Sequence, residues 1–165
     1  IMWKTGHSLI KTKMKETRAL LAGEMSGHIF FADKYYGFDD AIYAAIRLLN
    51  ILSKGQTLEK MIHDYPVTYS TPEIRVDCPD DEKFKIIDKC INLAKKSEKN
   101  VNLIDGIRVK STSGWWLIRA SNTQPAIVVR CEAKTDISLK KMLINLSAIL
   151  NKSGLKVNLQ DLVKL

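Results

Sequence analysis

Ile74-Arg75-Val76-Asp77-Cys78-Pro79-Asp80 changes its hydrophobic period halfway along, and that change decides the fold. Ile74, Val76 and Cys78 alternate with polar residues, which predicts a half-buried strand over 72–78. Pro79-Asp80 then opens a helix with Phe84, Ile87, Ile91 and Ala94 at helical spacing, ending near Asn100. Three strand-like runs follow: Val101–Lys110, broken by Asp105-Gly106, then Trp115–Arg119 and Ala126–Ala133. Asp136 is the expected cap of a last helix carrying Leu139, Met142, Leu143, Leu146, Ile149 and Leu150, with Gly154 closing it. The order strand-helix-strand-strand-strand-helix predicts an α+β unit, a four-stranded antiparallel sheet with two helices on one face.

Upstream the pattern differs. Residues 39–54 read as a helix capped by Asp39 or Asp40, with Ile42, Ala45, Ile46, Leu49 and Leu52 on one face and more apolar residues around it. A helix this apolar needs cover on most sides. The rest of this stretch offers only a strand-turn-strand over Ala19–Phe31 and a short helix at 57–65, ending before Pro66. It therefore reads as an incomplete α/β domain. The expected division is 1–66, then 70–153, then a tail over 154–165.

The chain has 165 residues, with 26 Lys and Arg against 18 Asp and Glu, a net charge of +8. Its 45% hydrophobic content excludes bulk disorder, and 8 Gly with 4 Pro exclude collagen-like and linker-like chains. Three cysteines without a Cys-x-x-Cys pair argue against a disulfide framework or a tetrahedral zinc site, and fit a reducing compartment. No apolar run reaches the ~20 residues of a membrane span, and no signal peptide opens the chain, so a cytoplasmic location is expected. The charge suits nucleic acid or any other anion. The basic residues are scattered, however, with no interleaved stacking aromatics, which argues against a nucleic-acid module.

Two segments carry candidate chemistry. Gly23-Glu24-Met25-Ser26-Gly27-His28 places Glu24, Ser26 and His28 at alternate positions of an extended loop, a set suited to vicinal sugar hydroxyls. An ordinary polar hairpin turn accounts for the same residues. Arg119-Ala120-Ser121-Asn122-Thr123-Gln124-Pro125 joins two strands and combines a guanidinium, hydroxyls, an amide and turn N–H groups, the makings of a phosphate cradle. Solvated turn residues are the alternative. From Gly106 to Cys131 stand Arg108, Lys110, Arg119 and Arg130 and no acid, so the local potential is expected to be positive. His7, beside Gly6, is either a proton-transfer group or a plain loop residue.

Trp3-Lys4-Thr5-Gly6-His7-Ser8, Gly23-Glu24-Met25-Ser26-Gly27-His28, Gly37-Phe38-Asp39-Asp40 and Arg119-Ala120-Ser121-Asn122-Thr123 stand in the order seen in the α-D-phosphohexomutases. The chain resembles the phosphomannomutase/phosphoglucomutase branch of that family over nearly its whole length. The resemblance implies an isomerase that interconverts hexose 6-phosphate and hexose 1-phosphate through a phosphoserine and a hexose 1,6-bisphosphate. It implies that this chain corresponds to the end of the third domain plus the fourth, the latter of the TATA-box-binding-protein type. By the same resemblance Glu24, Ser26 and His28 hold sugar hydroxyls. Arg119, Ser121, Asn122 and Thr123 bind the phosphate that is not transferred, and His7 assists proton transfer. Met25 points to hexose phosphates of mannose or glucose rather than to glucosamine phosphate.

The family's nucleophilic serine loop, its Mg-binding Asp-Gly-Asp-Gly-Asp-Arg loop and a lysine just before the stretch matching Ile1 are not among these residues. No metal ligands and no cofactor are therefore expected in this chain, and catalysis by it alone is not. Expected partners are hexose phosphates, with either the missing N-terminal domains or another copy against the 39–54 helix. Two rival readings stand beside this one: a basic α+β module for nucleic acid, and half of a split enzyme completed by a separate N-terminal chain.

Overall fold

A computed structural model describes residues 1–163. The chain forms two compact units, Ile1–Pro66 and Val67–Leu165.

In the first unit, helix α1 (His7–Thr17) precedes a hairpin of β1 (Leu21–Gly23) and β2 (Ile29–Phe31). The hairpin pairs Leu21 with Phe31 and Gly23 with Ile29. A small core of Ile10, Met14 and Phe30 fastens α1 to it. Helix α2 (Ala41–Leu52) is capped by Asp40, whose side chain accepts from the Tyr43 N–H. The Arg47 guanidinium forks onto the Asp33 carboxylate at 2.8 and 3.0 Å and lies over the Phe31 ring. No α2 residue is buried: Ile42, Leu49 and Ile46 are 76%, 64% and 55% exposed. The incomplete cover expected from the sequence is thus a property of the described unit. Helix α3 (Leu58–His63), capped by Thr57, is likewise exposed. Trp3 lies under the Lys13 ammonium, 4.1 Å from its ring centre.

The second unit is α+β. Strands β4 (Ile74–Asp77), β6 (Ile107–Lys110), β7 (Gly114–Ala120) and β8 (Ala126–Ala133) carry the antiparallel sheet. Two-residue strands β3 (Tyr69–Ser70) and β5 (Val101–Asn102) extend it. The order is β3-β8-β7-β6-β5, with β4 also paired to β8. The Asp105-Gly106 break separates β5 from β6, as its turn chemistry requires. Helices α4 (Asp80–Ser97) and α5 (Asp136–Ser153) pack on the sheet face formed by Ile74, Val76, Ile107, Val109, Trp116, Ile118, Ile127, Val129 and Cys131. Trp115, on the opposite face, stacks under the Arg108 guanidinium.

Three details differ from the sequence expectation. The buried stripe of α4 is Lys83, Ile86, Ile87, Cys90 and Ala94, while Phe84 is 61% exposed; the helix is rotated so that a lysine faces inward. Thr135, not Asp136, caps α5, by accepting from the Ser138 N–H. The segment expected as a tail folds back over its described part: α6 (Leu159–Leu162) follows Asn158, and Leu159 and Val163 join the core. Asn151 holds this return by donating to the Ser147 and Val157 carbonyls and accepting from the Val157 N–H. Lys164 and Leu165 lie outside the described residues.

Candidate functional site

The hairpin turn of the first unit carries Glu24, Ser26 and His28. Gly27 makes the turn possible, with φ +91°, a conformation L side chains rarely adopt. The Glu24 carboxylate accepts from the Gly6 N–H at 2.9 Å, tying the turn to the start of α1 and so to His7. His28 Nδ1 stands 2.7 Å from Asp39 Oδ2, and His7 Nε2 is 3.7 Å from the same oxygen. The two imidazoles meet edge to face with centroids 4.3 Å apart, and the buried Phe30 ring lies beneath His7 at 5.6 Å. His7, Glu24 and His28 are therefore gathered at one end of the hairpin. Ser26 is exposed on the turn.

Asp39 escaped the sequence reading because it looked like a helix cap. The Asp39-Asp40 pair does offer a signal: one helix start needs one capping carboxylate, and Asp40 fills that place. Hydrogen bonds from the Tyr35 hydroxyl and the Tyr43 N–H hold the Asp40 carboxyl below the usual carboxylate range.

In the second unit the β7–β8 turn presents Arg119, Ser121, Asn122 and Thr123. The buried Ser121 hydroxyl accepts from the Thr123 and Gln124 N–H groups at 3.4 and 3.2 Å, which curls the turn around it. The Arg119 side chain is 12% exposed, and its guanidinium is 3.9 Å from Glu73. Glu73 is gripped more closely by Arg75, at 2.6 Å, and Arg75 also reaches Gln124. The expectation of an acid-free positive patch is thus modified. Glu73, remote in sequence, sits against Arg119. The 106–131 stretch itself contains no carboxylate.

Lys83 is the residue no sequence signal identified. Its ammonium donates to the Ser121 carbonyl at 2.7 Å and the Gln124 carbonyl at 3.3 Å, and pairs with Asp80 at 2.6 Å. A buried cation is stable only when paired and hydrogen-bonded, and the turn carbonyls supply this.

Among the described residues, the side chains that converge as an ion would need are His7, His28 and Asp39. Two imidazoles and one carboxylate do not suit Mg2+, which takes oxygen ligands in octahedral geometry. The Mg2+ implied by the resemblance does not fit these residues.

Residues 1–69 match the family of phosphoglucomutase/phosphomannomutase, alpha/beta/alpha domain III, and residues 73–145 match its C-terminal domain. The chain belongs to the phosphoglucomutase/phosphomannomutase family. A phosphomannomutase/phosphoglucomutase of Pseudomonas putida is 54% identical over 143 residues, 86% of this chain and 31% of that protein. A phosphoglucomutase of Neisseria meningitidis serogroup A is 42% identical over 158 residues, 93% of this chain and 34% of that protein. The crystal structure of a phosphoglucomutase/phosphomannomutase family protein from Burkholderia thailandensis superposes with a TM-score of 0.82. It shares 43% identity and spans 93% of this chain and 32% of that one. The chain thus spans about a third of the length of the phosphoglucomutase/phosphomannomutase relatives it matches.

Proposed function

We propose that this chain supplies substrate-holding parts of a phosphomannomutase/phosphoglucomutase, the isomerase that moves a phosphoryl group between O6 and O1 of a hexose. Glu24 accepts from sugar hydroxyls, Ser26 both accepts and donates, and His28, oriented by Asp39, joins them. His7 handles a proton near the reacting end of the sugar. Arg119, Ser121, Asn122 and Thr123 bind the phosphate that stays in place, of mannose or glucose 1- or 6-phosphate. The 165 residues contain no Asp-x-Asp-x-Asp stretch and no residue assigned as the phosphoryl-carrying serine. Phosphoryl transfer depends on such groups for positioning and charge stabilisation. Binding without turnover is the activity expected of these residues by themselves.

The observation that carries this reading is Arg119. Its side chain is nearly buried at the mouth of a turn braced from beneath by Lys83, and the Glu73 carboxylate stands 3.9 Å from its guanidinium rather than in a tight pair. A phosphate entering there gains charge-assisted hydrogen bonds worth about 1.5–3 kcal/mol. Calorimetric titration of the chain with glucose 1-phosphate, mannose 1-phosphate and sulfate tests it. Saturable binding, weakened at least about tenfold by Arg119→Ala, is expected. Equal binding by the variant, or no binding by the parent chain, overturns the reading.

A further inference from the structure

We propose that His7, His28 and Asp39 form a three-ligand site for a borderline divalent transition cation, with Zn2+ as the representative ion. The donor atoms all lie within 4.8 Å of one another. In a tetrahedral zinc site with bonds of about 2.0–2.1 Å, neighbouring ligand atoms stand about 3.3 Å apart. Here Asp39 Oδ2 is 2.7 Å from His28 Nδ1 and 3.7 Å from His7 Nε2, one distance on each side of that value. Small tilts of two half-exposed rings bring both into range; their side chains are 43% and 50% exposed.

The backbone around the cluster is held. His7 opens α1, whose entry is pinned by Glu24 through the Gly6 N–H. His28 directly precedes β2. Asp39 is fixed to the same strand by a bridge to Phe30 and by accepting from the Ile29 N–H at 3.3 Å. Three ligands thus come from three segments of one compact unit. Asp39 is 21% exposed, and its setting beside two accessible imidazoles leaves the outer side open for water as a fourth ligand. Imidazole nitrogen with carboxylate oxygen suits Zn2+, Co2+ or Ni2+ and discriminates against Mg2+.

Binding changes one tautomer. With the metal absent, the 2.7 Å contact places the His28 proton on Nδ1, facing Asp39. Coordination needs Nδ1 bare, so that proton moves to Nε2 with no net release from a neutral ring. A metal at this site therefore removes the hydrogen bond by which Asp39 orients His28. The site shares His7 and His28 with the phosphosugar reading, but its test is ion binding, whereas the decisive test of that reading lies at Arg119.

The test is titration of the full chain with Zn2+, Co2+ and Mg2+, following heat for all three and the visible ligand-field bands for Co2+. One equivalent of Zn2+ is expected to bind, Co2+ to give the absorption of a low-coordinate nitrogen–oxygen site, and excess Mg2+ to displace neither. Asp39→Asn and His7→Gln should each weaken Zn2+ at least about tenfold, the loss that even an outer-shell partner of a metal can cause. His7 is half exposed and is not itself one of the core residues Ile10, Met14 and Phe30, so a folding failure of the Asp39 variant leaves the test intact. His63→Gln, which removes the other exposed His–Asp pair, should leave binding unchanged. Absence of stoichiometric Zn2+ binding, unaltered binding by His7→Gln, or loss of binding with His63→Gln overturns the proposal.

Discussion

The Lys83 ammonium stands 2.7 Å from the Ser121 carbonyl oxygen and 3.3 Å from that of Gln124, so one helix residue closes both ends of the turn carrying Asn122 and Thr123. The turn's acceptors are thereby engaged beneath it.

Lys83→Met removes a charged donor from two carbonyls. The expected cost is about 1–3 kcal/mol in the second unit, read by urea denaturation of the full chain. Amide exchange at Ser121–Gln124 should accelerate, and sulfate or sugar-phosphate affinity should fall. Lys83→Arg, which keeps the charge, should recover part of both. Unchanged exchange in the Met variant would show that the turn holds its shape without this brace.

Gly106 has φ +69°, and a Cβ there would stand 2.3 Å from the Ile118 carbonyl oxygen and 2.7 Å from the Arg119 Cα. Left-handed backbone costs a non-glycine residue about 1–2 kcal/mol and overpacking about 1–3 kcal/mol. Gly106→Ala should therefore destabilise the second unit by about 2–5 kcal/mol and weaken anion binding by displacing Arg119. The denaturation midpoint and a sulfate titration measure the two effects.

Burial pushes the Cys131 thiol up to about 12 and raises those of Cys90 and Cys78 as well. Thiolate, not thiol, is the reactive form. At pH 8 the folded chain should leave its three cysteines unmodified by a disulfide reagent, and all three should react in urea. Rapid modification of any one in native buffer would contradict the packing around it.

Acid should loosen the first unit. The Arg47 fork holds the Asp33 carboxyl below its ordinary value of 3.8, and the Tyr35 and Tyr43 hydrogen bonds do the same for Asp40. With folded values depressed, the unfolded chain takes up protons first as the pH falls. The stabilisation is present above the unfolded value and is lost as the pH drops through the folded ones. Denaturation midpoints of the first unit should therefore fall between pH 5 and about pH 3. The Asp33→Asn, Asp40→Asn double variant should be weaker at pH 6 and flatter over that window; an equal slope would assign the acid response elsewhere.

The legible parts of the fold share one property: their signals are periodic. Alternation at Ile74, Val76 and Cys78 and helical spacing along 136–153 predict elements that the structure contains. The lysine on the inner face of α4 was hidden because Lys at that position reads as a solvated charge; only the carbonyls of a turn about 40 residues away make its burial tolerable. Phe84 read as core for the same reason, since period alone cannot fix which of two adjacent residues turns inward. At the hairpin, Glu24 and His28 were visible as a motif, while Asp39 was not. Its contact with His28 is made across 11 residues by the fold, and a capping role was the local explanation.

The tryptophans give the chain a built-in optical division. Trp3 belongs to the first unit, partly exposed beside Lys13, whereas Trp116 is sealed in the core of the second and Trp115 is shielded by Arg108. Emission from Trp3 should lie to the red of that from Trp116. Excited where tyrosine does not absorb, a Trp3→Phe chain emits only from its second unit, so its comparison with the parent chain separates the melting of the two halves.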